Sequence, residues 1–149
     1  MRFLIQRVNS ASVTIDEKIH GSIEKGFLVL VGVNETDTQI EADKLIRKLL
    51  GLRIFQDENG KTNLALSDVN GTLLMVSQFT LYADCRKGNR PSFVHAGDPE
   101  HAKALYEYIL QECQHAGYHV EHGEFGADMK VSLENDGPFT VMLDSDELA

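Results

Sequence analysis

The sequence predicts a mixed α/β fold in which helices pack against a mixed β-sheet. Three observations carry this. Segments rich in β-branched and apolar residues occupy both ends of the chain, two segments between them show helical spacing with capping residues, and the strict strand–helix alternation of a doubly wound sheet is missing. The 149 residues are expected to form one domain, 1–149, able to bury about two thirds of its unfolded surface.

The elements follow in order. From Met1 to Val33, "RFLIQRV", "ASVTI", "HGSIE" and "GFLVLVGV" read as strands separated by polar or glycine-containing turns. The period changes in "TDTQIEADKLIRKLLG", where Ile40, Leu45, Ile46, Leu49 and Leu50 fall near helical spacing. Thr38 followed by Glu41 matches a capping box, and Gly51 suits the C-terminal cap. Asn59-Gly60 and Asn70-Gly71 each suit the positive φ of a tight hairpin turn, so strands should flank at least one. The stretch "GDPEHAKALYEYILQECQHAG" predicts a second helix, with Asp98 as cap, Pro99 in the first helical position and Gly117 at the exit. Ala102, Leu105, Ile109, Cys113 and Ala116 share its apolar face, which makes Cys113 a core residue. Three strands, "YHVEHGEF", "MKVSLEN" and "FTVML", end the pattern. Gly137 and Pro138 interrupt the last two, because proline has no amide hydrogen for a ladder.

Composition narrows the chemistry. A net charge of −9 argues against wrapping a long duplex, so any nucleic-acid contact is expected to be local. The one dense basic cluster is "CRKGNRPSF", with Arg86, Lys87 and Arg90. Cys85 and Cys113 form no Cys-x-x-Cys pair, and both thiols are expected to be free. The first residues lack a signal peptide's apolar stretch and no run reaches the ~20 residues of a membrane span, which predicts a cytoplasmic protein. His115, His119 and His122 approach one helical face, but Gly117 lies inside that stretch, and no metal site is expected. A Gly-x-Ser-x-Gly elbow, a Walker loop and a paired-carboxylate signature are all missing.

The segment "LLMVSQFTLYADC" moves from four apolar residues into Ser77, Gln78, Phe79 and Thr80, gathering polar groups at a strand's end. Together "SQFTL" and "NDGPFT" resemble the signature of D-aminoacyl-tRNA deacylases. The resemblance extends to "MRFLIQRV", "KGNRPSF" and "FGADMKVSLENDGPFT" in the expected order, over essentially the whole chain. Phe139 departs from the pattern, where the family more often has valine.

The resemblance implies layered β-sheets with two main helices on one side. It implies a homodimeric hydrolase, without metal or organic cofactor, that cuts the ester between a D-amino acid and the 3′-terminal adenosine of tRNA. By the same resemblance Ser77, Gln78, Phe79 and Thr80 line the reaction site. Gly137 and Pro138, joined by a cis peptide in the family, reach into the partner subunit's site as the chirality filter, with Asn135 beside them and Arg7 holding their backbone. Glycyl-tRNA, with no side chain to reject, is then also a substrate. Lys87 and Arg90 are expected at the terminal phosphates, and Phe125 and Met129 at the adenine.

The chemistry of the residues is compatible with this. Ester hydrolysis needs an oxyanion contact, assigned to the backbone amide near Phe79 or Thr80, with Gln78 positioning the substrate. Thr80 as nucleophile would need an adjacent base, and "SQFTL" contains no His or carboxylate, so an orienting function is favoured. The ribose 2′-hydroxyl is the expected activator of water. Two rivals remain open at this point: a module that binds an RNA or nucleotide end without chemistry, and a cysteine hydrolase using Cys85 with His95.

Overall fold

The structure, a computed structural model, describes residues 1–149. Its strands are β1 (Arg2–Ile15), β2 (Lys18–Ile23), β3 (Gly26–Gly32), β4 (Phe55–Gln56), β5 (Thr62–Leu64), β6 (Thr72–Ser77), β7 (Val120–His122) and β8 (Lys130–Asp144). Its helices are α1 (Gln39–Gly51) and α2 (Pro99–His115). The main sheet runs β2-β1-β3-β6-β7 with β8 paired to β1, and β4 and β5 make a separate hairpin.

The long strand β1 organises the sheet. Arg2 to Val8 pair antiparallel with β3, Ala11 to Ile15 pair with β2, and β8 follows the other edge along almost the whole length. "RFLIQRV" and "ASVTI" are therefore one strand, not two. The polar pair between them, Asn9 and Ser10, does not turn because β8 holds it, with Ser10 opposite Glu134, and a register shift near Asn9 absorbs the irregularity.

Alternation along β3 divides the interior in two. Phe27, Val29 and Val31 face a core shared with Phe3, Ile5, Met75 and both helices, including Leu45, Leu49, Ile109 and Cys113. Leu28 faces a smaller cluster with Val8, Ala11, Val13, Ile23, Leu74 and Val76. This second cluster lies inside a curl. A Cβ on Gly21 would sit 3.0 Å from the His122 carbonyl oxygen, and the His20 and His122 rings lie 5.9 Å apart, so β2 folds back toward β7.

The helix ends follow their capping chemistry. The Thr38 N–H donates to Glu41 Oε2 at 2.6 Å while the Ile40 N–H donates to Thr38 Oγ1 at 3.2 Å, and the bonds from the Thr38 hydroxyl and the Thr38 N–H hold the Glu41 carboxyl below the ordinary range. Asp98 accepts from the His101 N–H at 3.3 Å, Pro99 opens α2, and Gly117 leaves it with φ +97. Other expectations fail locally. Ile40 is exposed, being offset by two residues from the buried stripe Ala42, Leu45, Ile46 and Leu49. Gly51 is still helical, and Leu52 caps through its N–H to Leu49. Ala116 lies past the last turn of α2 and is exposed. Asn59-Gly60 turns the β4–β5 hairpin, whereas Asn70, at φ +53, ends a 3-10 turn (Leu66–Val69) and makes no hairpin.

Gly137 and Pro138 do not break the last strand either. Gln6 pairs with Thr140 and Val8 with Asn135, so Arg7 alone stands opposite Asp136 to Phe139. The pair forms the outward tip of a wide bulge in a continuous β8, where the missing proline N–H is not needed by the ladder. No helix is long and apolar enough to cross a membrane.

The close β3–β6 contact gives a stability test. A Cβ on Gly26 would overlap the Thr72 backbone, whereas one on Gly51 would meet nothing within 4 Å. Gly26→Ala should destabilise by about 3 kcal/mol or more. Gly51→Ala should be neutral or gain about 0.5 kcal/mol. Urea unfolding of both variants checks the pair, and equal midpoints would contradict the packing described.

Candidate active site

Strands β3, β6 and β7 are parallel, so their carboxyl ends lie on one side of the sheet, where open α/β sheets form ligand crevices. A cleft of ≈ 690 Å³ opens there. The floor comes from Val31, Val33 and the Val76–Phe79 exit of β6, and the walls from Tyr106 of α2, Phe93, and the Phe125–Met129 segment.

Ser77 to Thr80 are placed by three contacts. The Gln78 N–H donates to Val31 O at 2.8 Å, ending the β3–β6 pairing, and the chain then tightens into a 3-10 turn (Phe79–Tyr82). Arg2 anchors this turn, donating through Nη1 to Leu81 O at 2.7 Å with its guanidinium 4.6 Å from the Tyr82 ring centre. Gly32 leaves room for it, since a Cβ there would come within 2.9 Å of Leu81 Cβ. At the start of such a turn the first N–H groups have no internal acceptor. Those of Phe79 and Thr80 have none elsewhere in the chain. Phe79 is exposed, with its ring edge-on to Phe93 at 5.0 Å.

Gln78 Nε2 donates to Thr80 Oγ1. A carboxamide is not a base, and no imidazole or carboxylate hydrogen-bonds to that hydroxyl. Tyr106 is also committed: its hydroxyl donates to Met75 O at 2.7 Å, and burial raises its pKa, so it serves as a wall. Phe125 stands 6.1 Å from the Tyr106 ring. Ser77, Gln78, Phe79, Phe125 and Met129 thus meet in one cleft, and Thr80 sits at its lip through Gln78.

The remaining expected residues lie elsewhere in the chain. Lys87 and Arg90 line a separate polar recess with Asp84, Arg86 and Ser92. Asn135, Gly137 and Pro138 belong to the β8 bulge, whose Gly137–Pro138 peptide is cis. Asn135 Oδ1 accepts from the Phe139 N–H at 2.6 Å, and Asn135 Nδ2 donates to Thr140 Oγ1 at 3.0 Å, so its side chain laces the base of the bulge. Arg7 holds it from below. This guanidinium, 6% exposed, donates to Asp136 O at 3.0 Å and to Ile54 O at 2.6 Å, and lies 4.7 Å from the centre of the Phe139 ring. Val31, Val33, Phe93 and Tyr106 were not foreseen as cleft residues. Only Phe93, beside the basic cluster, carried a local signal.

No group of three His, Cys, Asp or Glu residues is arranged to hold a metal. His119 faces Glu121 at 2.9 Å, and His122 Nδ1 is bonded to the Gly123 carbonyl at 2.6 Å.

Comparison with known proteins agrees over almost the full length. Residues 4–144 match the family model described as D-Tyr-tRNA(Tyr) deacylase. The chain belongs to that family. A D-aminoacyl-tRNA deacylase from Lactobacillus gasseri is 59% identical over 144 residues, covering 97% of this chain and 99% of that protein. One from Thermosipho melanesiensis is 56% identical over 146 residues, covering 97% of each. A solved structure described as a c-Myc DNA unwinding element binding protein superposes with a TM-score of 0.91 at 39% identity, covering 97% of this chain and 98% of that one. Each of the two halves of the deacylase signature sits on its own rigid support, the turn after β6 and the bulge of β8.

The two thiols differ in kind. Burial pushes Cys113 up to about 12, while Cys85 is exposed. Iodoacetamide at pH 8 should label one thiol per folded chain, and the second only after unfolding. Rapid labelling of both in the native protein would contradict the buried core face of α2.

Proposed function

We propose that the chain is a homodimeric D-aminoacyl-tRNA deacylase, which hydrolyses the ester between a D-amino acid and the 3′-terminal adenosine of tRNA. The observation that carries the reaction is the pair of uncommitted Phe79 and Thr80 N–H groups beside a cleft with no base at the Thr80 hydroxyl. Family membership and the names of the relatives support the substrate class.

Water attacks the ester carbonyl carbon, and the charge that develops on the carbonyl oxygen is met by the two N–H donors. The bond from carbon to the ribose 3′-oxygen then breaks. The proton lost by water ends on that oxygen, relayed by the neighbouring 2′-hydroxyl of the substrate. Free D-amino acid and tRNA are the products. Gln78, fixed against Thr80, orients the substrate, and the terminal adenine lies between the walls formed by Phe125 and Met129.

A second subunit completes the site. Gly137 and Pro138 are exposed and do not line the cleft of their own chain. On the face of the sheet that carries the smaller core, Met142, Leu133 and Val131 are 45%, 39% and 36% exposed. Val131 also borders the cleft. A second copy covering this apolar face buries it and brings its bulge to the neighbouring cleft. The tip offers only main-chain atoms and a ring, so it rejects an L side chain by collision and gives a D side chain nothing to grip. Glycyl-tRNA escapes rejection and is cleaved.

The oxyanion assignment predicts a split at one position. Phe79→Pro removes an N–H at the first position of the 3-10 turn, where proline fits, and should lower kcat about 10²–10³-fold. Phe79→Ala keeps the N–H and should cost far less, and Thr80→Ala should stay within about tenfold of wild type. Single-turnover deacylation of D-tyrosyl-tRNA measures all three. A trapped acyl ester on Thr80 would instead make it the nucleophile.

The shared site predicts complementation. A Gly137→Ala chain forces a Cβ to 2.8 Å from the Phe139 N and strains a backbone at φ +145, so it should be inactive alone. Mixed with an inactive Phe79→Pro chain, it should recover one working site per heterodimer. Full activity in a proven monomer would rule the arrangement out.

A further inference from the structure

The acidic chain carries one dense run of cations, Arg86, Lys87 and Arg90, and it lies on a single closed loop. Residues 84–92 close on themselves, with the Asp84 N–H donating to Ser92 O at 2.7 Å and the Ser92 N–H to Asp84 O at 2.9 Å. The tip between them turns at Gly88, φ +64, and carries Arg86, Lys87 and Arg90 around a recess of ≈ 550 Å³ with no apolar lining. Arg86 is spent internally. It grips Asp84 with both Nε and Nη2, at 2.9 and 2.7 Å, which holds that carboxyl far below its usual range. Lys87 and Arg90 have no acidic partner within 4.0 Å.

The position of the tip gives it a ligand. Ser92 is followed by Phe93, whose ring packs on Phe79 at the mouth of the cleft. From Arg90 to Phe93 the chain spans at most about 11 Å. The apolar cleft suits a nucleoside and the recess suits anions, and the two are joined by one short segment.

We propose that this loop is the phosphate subsite for the single-stranded nucleotides immediately 5′ of the terminal adenosine, with Lys87 and Arg90 as its two phosphate ligands and the Asp84–Arg86 pair as the brace that presents them. The inference rests on the deacylase reading and assigns the tRNA-end contact within it. Local neutralisation of two phosphates is compatible with a net charge of −9, because the contact is confined to the tail and asks nothing of the tRNA body.

Salt dependence tests it directly. Two phosphate contacts on a single strand contribute about 1.4 to the slope of log K against log salt. Between 50 and 200 mM salt, wild type should lose about sevenfold more affinity for uncharged tRNA than Lys87→Ala/Arg90→Ala does. Lys87→Arg/Arg90→Lys should restore the slope. With D-tyrosyl-tRNA the alanine pair should raise KM at near-constant kcat, and D-tyrosyl-adenosine, which has no phosphate, should show no such penalty. An unchanged slope, or an equal loss on D-tyrosyl-adenosine, would overturn the proposal. Because binding of uncharged tRNA is read separately, a chain that bound with the expected slope but cleaved neither ester would refute the deacylase reading alone.

Discussion

One buried guanidinium sets the position of the exposed tip of β8. Arg7 lies in the centre of β1 with almost no access to water, so its donors must be matched inside the protein. It reaches Ile54 O just past α1 and Asp136 O at the root of the β8 bulge, with the Phe139 ring against its face. A cation held this way fixes three segments at once. Loss of it would leave two carbonyls and a bulge of four residues to find new partners. Phe139 adds a cation–π contact, with its ring centre 4.7 Å from the guanidinium.

The rest of the site follows from strand direction. Because β3, β6 and β7 run parallel, the exit of β6 meets the start of α2 and the loop after β7 at one edge of the sheet. Gly32 lets the Phe79–Tyr82 turn lie flat on β3, and Arg2 pins it. The result is a fixed pair of amide donors in an apolar cleft, where a hydrogen bond to a developing charge is worth more than in water. No side chain there has to change protonation state for this.

Much of the fold is legible in the sequence because its signals are local. Thr38 with Glu41, and Asp98 with Pro99, mark helix starts by bonds that reach only three residues along the chain. The failures have the opposite origin. Whether Asn9 and Ser10 turn, or Gly137 and Pro138 end a strand, is decided by a partner strand more than 100 residues away. Asn70 takes the backbone that an Asn-Gly turn favours but spends it on closing a 3-10 turn. The signature residues of the cleft were legible as motifs, whereas Val31, Val33 and Tyr106 enter it only through the parallel pairing of β3 with β6 and the packing of α2.

The proposed selection by exclusion rests on the two supports, one under each half of the signature. A tip of backbone atoms laced by Asn135 and Arg7 has few ways to yield, and it presents no group that could recognise a side chain. In the proposed mechanism, discrimination depends on what occupies one side of the substrate's α-carbon. The most direct measurement compares D-tyrosyl-, L-tyrosyl- and glycyl-tRNA side by side on the wild-type protein. Exclusion predicts that the D and glycyl esters are both cleaved while the L ester persists; a glycyl ester as resistant as the L ester would mean that the pocket recognises a D side chain positively, and would contradict the account.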